Sequence, residues 1–387
     1  MSKSTMVALR DLGNWSGGNT PAKENAAYWT DGTVPWVSPK DMKFDEITSS
    51  QDRITEAALA DRRVSLVPEG SVLFVTRSGI LAHTFPVAVT KLPVTINQDL
   101  KALTPKSGIF ATYVAHAVRG ASRRILKQCS KHGPTVASIE TSALLDFEIP
   151  VVDLDEQRRI VAEIEKQFSR LDEAVANLKR VKANLDRYVK ATIECLTDSS
   201  TLQPQTSGAI SDVAVSLDNM RRPVNKIERA KRPGNIPYLG ANGQTGWIDE
   251  PLFDEELVLV VEDETFVGRT APFSYYFAAK CWVNNHTHVL RAKPDVVLPK
   301  YLNLALSYYP FIPLTTGSTG RRKLTKAALM TAPIRVPPLL VQRQIIAEVD
   351  RRLSIAREVE AEVEANLKRA QVLRQAVLSK SFQVSPS

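Results

Sequence analysis

A helical signature occurs twice in this chain. DEQRRIVAEIEKQF (155–168) is answered by LVQRQIIAEVDRRL (340–353), with Gln157-Arg158 matching Gln342-Arg343 at an offset of 342 − 157 = 185. Ala162-Glu163-Ile164 and Ala347-Glu348-Val349 keep that offset. NLKR then recurs at 177–180 and 366–369, 189 apart, so the second copy holds four extra residues, about one helical turn. Weaker echoes precede each helix in the same order. VPWVSPKD (34–41) resembles IPYLGANG (236–243), GSVLFVT (70–76) resembles EELVLVV (255–261), and INQDLKAL (96–103) resembles NNHTHVL (284–290). LLDFEIPVV (144–152) then corresponds to LMTAPIRVPP (329–338). A period this long is a duplicated domain rather than a solenoid, whose repeats run to about 20–50 residues.

The helical segments carry apolar stripes in steps of three and four. Ile164, Phe168, Leu171, Val175, Leu178, Leu185, Val189 and Leu196 lie on the first stripe, interrupted by Lys182 and Thr192. Val349, Leu353, Ala356, Val359, Val363, Leu367, Ala370, Leu373 and Val377 lie on the second. A 3.5-residue period sustained for about four heptads predicts a coiled coil. A helix of about 40 residues extends roughly 60 Å, too far to dock wholly on its own small domain. The expectation is an intramolecular antiparallel pair with the two globular units at opposite ends. The fold class is α+β, with mixed α/β units at 1–154 and 201–338 and helical spacers at 155–200 and 339–387. SVLFV (71–75) and ELVLVV (256–261) read as strands, and YVAHAV (113–118) and YLNLALSYY (301–309) as helices. The turn-rich TDSSTLQPQTSGA (197–209) is the clearest boundary.

Bulk composition narrows the class without naming it. A chain of 387 residues exceeds one ordinary core, and 43% hydrophobic with 24% charged residues is the profile of a soluble globular protein. No apolar run reaches the roughly 18 residues of a membrane helix, and MSKSTMVALRDLGNW has no signal-peptide pattern. Three scattered cysteines form no C-x-x-C pair, which points to a reducing cytoplasm and away from structural zinc. The +8 net charge permits a polyanionic partner.

No catalytic set is evident. The chain has no P-loop, G-x-G-x-x-G, G-x-S-x-G or H-E-x-x-H, no Asn/Asp-Pro-Pro-Tyr tetrad, and no glycine-rich turn to seat S-adenosylmethionine. Asp295 lacks the Glu-x-Lys that would complete a nuclease-like set. His286 and His288 would share one face of a strand, but no third or fourth ligand accompanies them, so they read as a polar strand end rather than a metal site. Three basic clusters stand out: Arg119–Lys131 without an acid, Arg221–Arg232 with one, and Arg321, Arg322, Lys323 and Lys326 in TTGSTGRRKLTK. Cationic turns of this kind suit phosphate oxygens, and arginine also suits guanine edges. The helices are nearly balanced, with nine Lys/Arg against seven Asp/Glu over 156–196, which suits a spacer.

The order of globular unit, EQRRIVAEIEKQFSRLDEAVANLKRVKANLDRYVKATIE, second unit and VQRQIIAEVDRRLSIAREVEAEVEANLKRAQVLRQAVLSKSF resembles the specificity subunits of type I restriction–modification systems. The likeness spans essentially the whole chain. It is strongest in the helices and looser in VPWVSPKDM, VLFVTRSGILAHTFPVAV and TGSTGRRKLTKAAL. It implies two target recognition domains, each reading half of a split duplex DNA sequence, and helices that set the gap between the halves. It also implies docking to two modification subunits, which use S-adenosylmethionine, and to restriction subunits, which use ATP and Mg. No cofactor is expected on this chain, and no catalytic role. Candidate DNA contacts are Lys40, Arg77 and Ser78 of TRSG, Lys131, Arg269, Arg321, Arg322 and Lys323. The alternative is a coiled-coil adaptor that no longer recognises DNA.

Overall fold

Both stripes become continuous helices, Leu154–Thr197 of 44 residues and Leu339–Ser381 of 43. The computed structural model describes residues 4–131, 136–198, 206–264, 266–317 and 322–383. It divides into two compact units, one of residues 1–178 with 365–387 and the other of residues 179–364. Each unit therefore contains a globular part and a stretch of both long helices.

In the first unit the helices run antiparallel. Ile164 and Phe168 bury against Leu378, while Asp172, further along the first helix, pairs with the earlier Arg374 at 2.6 Å. Their exposures are 1%, 6% and 4%, and full burial of such side chains contributes about 1.5–3 kcal/mol each. In the second unit Ile193 shares a core with Ile345 and Val349. Lys182 there reaches Glu360 and Glu364 at 3.4 and 2.7 Å.

The first globular part holds a five-stranded sheet in the order Gly13–Gly17, Leu100–Pro105, Val72–Val75, Val87–Thr90, Glu46–Ile47. Val72–Val75 is buried at every position, which explains its unbroken apolar sequence. Beside it lies a three-stranded sheet of Asp52–Ile54, Val34–Val37 and Thr95–Ile96. The helix Ala111–Gly120 covers the strand Val87–Thr90 and buries Tyr113, Val114, Ala117 and Val118. The second globular part is built around six strands in the order Ala214–Ser216, Thr287–Ala292, Phe253–Val261, Ser274–Val283, Ile236–Gly240, Gly243–Ile248. The helix Pro299–Ser307 covers one face, over Val258, Val260 and Leu290. Leu239, Leu257, Leu259 and Val289 form a separate core. Of the boundary stretch 197–209, residues 199–205 lie outside the described residues, and Thr206–Ala209 pairs with Pro333–Val336. The matching pair in the first unit is Thr5–Ala8 with Glu148–Val151.

The glutamine of each repeated Gln-Arg pair fastens its long helix to its own globular part. Gln157 is fully buried; Phe110 N–H donates to its Oε1 at 2.9 Å, and its amide donates to Gly108 and Val152 carbonyls at 3.0 and 2.8 Å. Gln342, also fully buried, accepts from Leu298 N–H at 2.7 Å and donates to Val296 and Pro337 carbonyls at 2.9 and 2.7 Å. Both amides clasp the residue just before a covering helix, at the same place in the repeat.

His116, inside Ala111–Gly120, is buried with its ring edge-on to Phe168 at 5.8 Å, and the Arg374 guanidinium lies 4.1 Å from the Phe168 ring centre. Burial first, then the charges of Arg119 and Arg374, pushes its imidazole from 6.5 down to about 3. The folded pKa lies below the unfolded one, so the unfolded chain binds the extra proton and stability falls as pH drops through the interval between them. The first unit is expected to lose about 2 kcal/mol between pH 7 and pH 5 from this group. Urea midpoints at pH 7 and pH 5 check it, and His116→Phe should flatten the difference. An equal pH response in wild type and variant would rule His116 out as the cause.

Candidate nucleic-acid interface

In the first unit the strands of the two sheets end at a polar rim. Val34–Val37 runs into a single 3-10 turn, Pro39–Asp41, closed by Ser38 N–H donating to Asp41 Oδ2 at 2.9 Å. The turn presents Lys40, whose ammonium pairs with Asp52 at 2.7 Å. The strand Val72–Val75 leads to Thr76 and Arg77, whose N–H groups both donate to the Asp99 carbonyl. Asn97 shapes that loop, accepting from Asp99 N–H at 3.1 Å and donating to its carboxylate at 3.0 Å.

Three segments then lie side by side. Lys131 pairs across to Ser138, and Ser138 bridges to Arg77 on its other side. Ser78 N–H donates to the Ala137 carbonyl, and the Ser78 hydroxyl caps the turn that follows by accepting from Ile80 N–H. With strands about 4.8 Å apart, the row from Lys131 to Arg77 spans about 10 Å. Lys131 pairs with Glu140 at 2.7 Å and Arg77 approaches Asp99 at 3.9 Å; both basic side chains are more than half exposed.

The second unit has a rim of the same kind. Arg322–Leu324 is the middle strand between Thr315–Thr316 and Asp263–Glu264, so Thr316, Lys323 and Asp263 form one row. The Lys323 ammonium lies 3.1 Å from Glu262. Arg322 turns back on its own hairpin, donating to the Thr315 hydroxyl at 2.6 Å and the Thr315 carbonyl at 3.1 Å. Arg269 follows Gly268, whose φ of +76° favours glycine. Its guanidinium donates to Ala271 and Pro272 carbonyls and, at 2.8 Å, to Asn242 Oδ1, bracing two neighbouring loops. Arg321 lies outside the described residues.

Behind Lys323 sits a buried charge network that cation counting in the sequence passes over. Arg221 meets Glu262 at 2.6 Å and Asp218 at 3.5 Å, and His288 Nδ1 meets Asp218 at 2.6 Å. Burial pushes the Asp218 carboxyl up, but the His288 hydrogen bond, the Val289 N–H and Arg221 outweigh it and hold the group below the usual carboxylate range. Glu262 is likewise raised by burial and lowered further by Arg221, His288 and Lys323. Among the described residues, Asp218, Glu262 and His288 are the one trio spaced to hold a metal ion. Both nitrogens of His288 are already engaged, Nδ1 with Asp218 and Nε2 with the Leu324 carbonyl at 2.8 Å. Protein cations answer both carboxylates, so the trio fits a structural lock better than a metal centre. His286 takes a separate path and pairs with Asp263 at 2.6 Å.

Of the predicted contacts, the structure thus gathers Arg77, Ser78 and Lys131 at one place and Arg322 with Lys323 at another. Lys40 stands on a neighbouring turn, and Arg269 and Arg322 hold their own loops. In the basic run 119–131, Arg119 is largely covered, its side chain 13% exposed, and donates to the Val87 and Asp45 carbonyls. Lys40, Arg77 and Lys131 form ion pairs with partly exposed carboxylates, a kind that contributes about 0–1 kcal/mol, whereas Lys323 reaches the buried Glu262. No helix among the described residues is long and apolar enough to cross a membrane.

A family model described as the type I restriction modification DNA specificity domain matches residues 1–185 and 206–368. A type I restriction enzyme specificity subunit of Escherichia coli is 41% identical over 158 residues, 41% of this chain and 39% of that protein. One of Methanocaldococcus jannaschii is 28% identical over 182 residues, 46% of this chain and 40% of that protein. The chain thus spans about two-fifths of the length of these curated relatives. A chain solved in work on complex assembly and conformational transition of the type I R-M system superposes with TM-score 0.69 at 18% identity, covering 98% of this chain and 97% of that one. The HsdS subunit from Thermoanaerobacter tengcongensis gives 0.56 at 17%, covering 98% and 96%. Identities this low establish the shared fold alone.

Proposed function

This chain belongs to the type I restriction–modification DNA specificity family, and from that premise we propose that it recognises a split duplex DNA target, one half-site per globular unit. The observation that carries this reading is the duplicated rim, where exposed cations are held by carboxylates they can exchange for DNA. Phosphate contacts would set register, and a few side chains would discriminate bases. The long helices set the gap between half-sites and dock two modification subunits, and restriction subunits complete the complex. S-adenosylmethionine, ATP and Mg chemistry belongs to those partners, and this chain is non-catalytic.

The test is genome-wide adenine methylation in a methylation-free host expressing the matching modification subunit with and without this chain. A split motif with a fixed gap, present only with both, is the expected outcome. A stable complex that leaves the genome unmethylated would favour a coiled-coil adaptor. For the purified complex, Arg77→Ala should reduce the slope of log affinity against log salt by about one if Arg77 contacts phosphate.

A further inference from the structure

We infer that the two three-residue rows, Lys131–Ser138–Arg77 and Thr316–Lys323–Asp263, are equivalent base-reading columns that set the specificity of the two half-sites. The inference rests on the DNA-recognition reading and adds which side chains do the reading.

The equivalence is one of register rather than of residue type. The offsets are 316 − 131 = 185, 323 − 138 = 185 and 263 − 77 = 186, against 185 for the glutamine clasp. The next rung agrees as well: Ile139 N–H donates to the Thr76 carbonyl at 2.8 Å, and Leu324 N–H to the Glu262 carbonyl at 2.7 Å. Ile139 and Leu324 are buried, so by strand alternation the residues before them, Ser138 and Lys323, face outward.

The support behind each column is also shared. Asn97 accepts from Asp99 N–H and Asn284 from His286 N–H, two residues on in each case. Asp99 then faces Arg77, and His286 faces Asp263. The same scaffold therefore carries a basic side chain opposite an acidic one in both units, with the two positions exchanged. A rigid frame with variable outward side chains is what a reader of different sequences needs. A row of about 10 Å fits the major groove, about 12 Å wide.

The side chains assign the chemistry. The first column offers Lys, Ser and Arg, a donor-rich set suited to the O6 and N7 acceptors of guanine. The second offers Thr, Lys and a carboxylate, which pairs a donor with an acceptor for the exocyclic amine of cytosine.

The test gives the first column the second's polarity, in the double variant Arg77→Asp with Asp99→His, co-expressed with the modification subunit and read by methylation sequencing. One half of the motif should change its preferred base by roughly tenfold or more, with the other half and the gap unchanged. An unchanged motif at normal methylation overturns the inference. Should the double variant methylate nothing, Lys131→Gln and Thr316→Lys, both at exposed positions, decide instead. The first should alter only one half and the second only the other, and unaltered motifs in both overturn the inference. If the wild-type complex itself methylates no split motif, the recognition reading fails, a result distinct from failure of the columns.

Discussion

Gln342→Leu is expected to lower the stability of the second unit by about 3–5 kcal/mol. The substitution is nearly isosteric, so the loss comes from three stranded main-chain groups rather than a cavity. Leu298 N–H and the carbonyls of Val296 and Pro337 lose their partner in a site closed to solvent. An unsatisfied buried polar group costs about 1–3 kcal/mol, and leucine's greater hydrophobicity returns part of the sum. Gln157→Leu should act equally on the first unit through Phe110, Gly108 and Val152. Amide hydrogen exchange of the full chain resolves the two, because Gln342→Leu should accelerate exchange in Pro299–Ser307 and Gln157→Leu in Ala111–Gly120. A loss below about 1 kcal/mol would mean that water replaces the amide and that the clasp does not fix the helix.

Arg221→Met should cost the second unit about 3–5 kcal/mol at neutral pH, because removing one partner of a buried ion pair leaves charge uncompensated. The side chains of Arg221, Asp218 and Glu262 are 14%, 6% and 9% exposed, so solvent cannot substitute. The pH dependence separates this from lost packing. Asp218 and Glu262 have folded pKa values below their unfolded ones, so their stabilisation is present above about pH 4 and is lost as pH falls through the depressed values. Without Arg221 both carboxyls titrate higher, and the gap between variant and wild type should narrow as pH falls from 7 towards 4. A gap constant across that range would assign the loss to packing. Lys323 draws its ion-pair partner from the same network, so the variant should also weaken DNA binding by the second unit.

The long helices were legible because a 3.5-residue stripe is local and repeats many times. VLFV and ELVLVV gave strands for a similar reason, since buried strands read as apolar runs. The rims were harder. Arg77, Lys131 and Ser138 lie on segments up to 61 residues apart (138 − 77), and register alone aligns them with Asp263, Thr316 and Lys323, which share no residue type with their counterparts. Arg269 and Arg322 read as free cations in sequence, but nearby carbonyls and a threonine hydroxyl occupy them, an outcome fixed by loop geometry. His288 stood out only as one of a histidine pair, and Asp218 and Glu262 gave no signal, because their meeting with it depends on three strands and turns converging. The repeated glutamine was visible as a match, yet only the fold reveals that its amide joins helix to domain.

The division of the chain bears on how it is made. Residues 365–387 belong with residues 1–178, so the first unit to emerge from the ribosome waits for 365 − 178 = 187 further residues before its last piece arrives. At about 5–20 residues per second, that is a delay on the order of ten to forty seconds, during which the second unit completes itself. Over that interval Ile164 and Phe168 lack the cover of Leu378, and Tyr113 lacks Phe382. Of the two units the one begun earlier is thereby the later to mature, and premature termination near residue 365 would spoil residues 1–178 rather than residues 179–364.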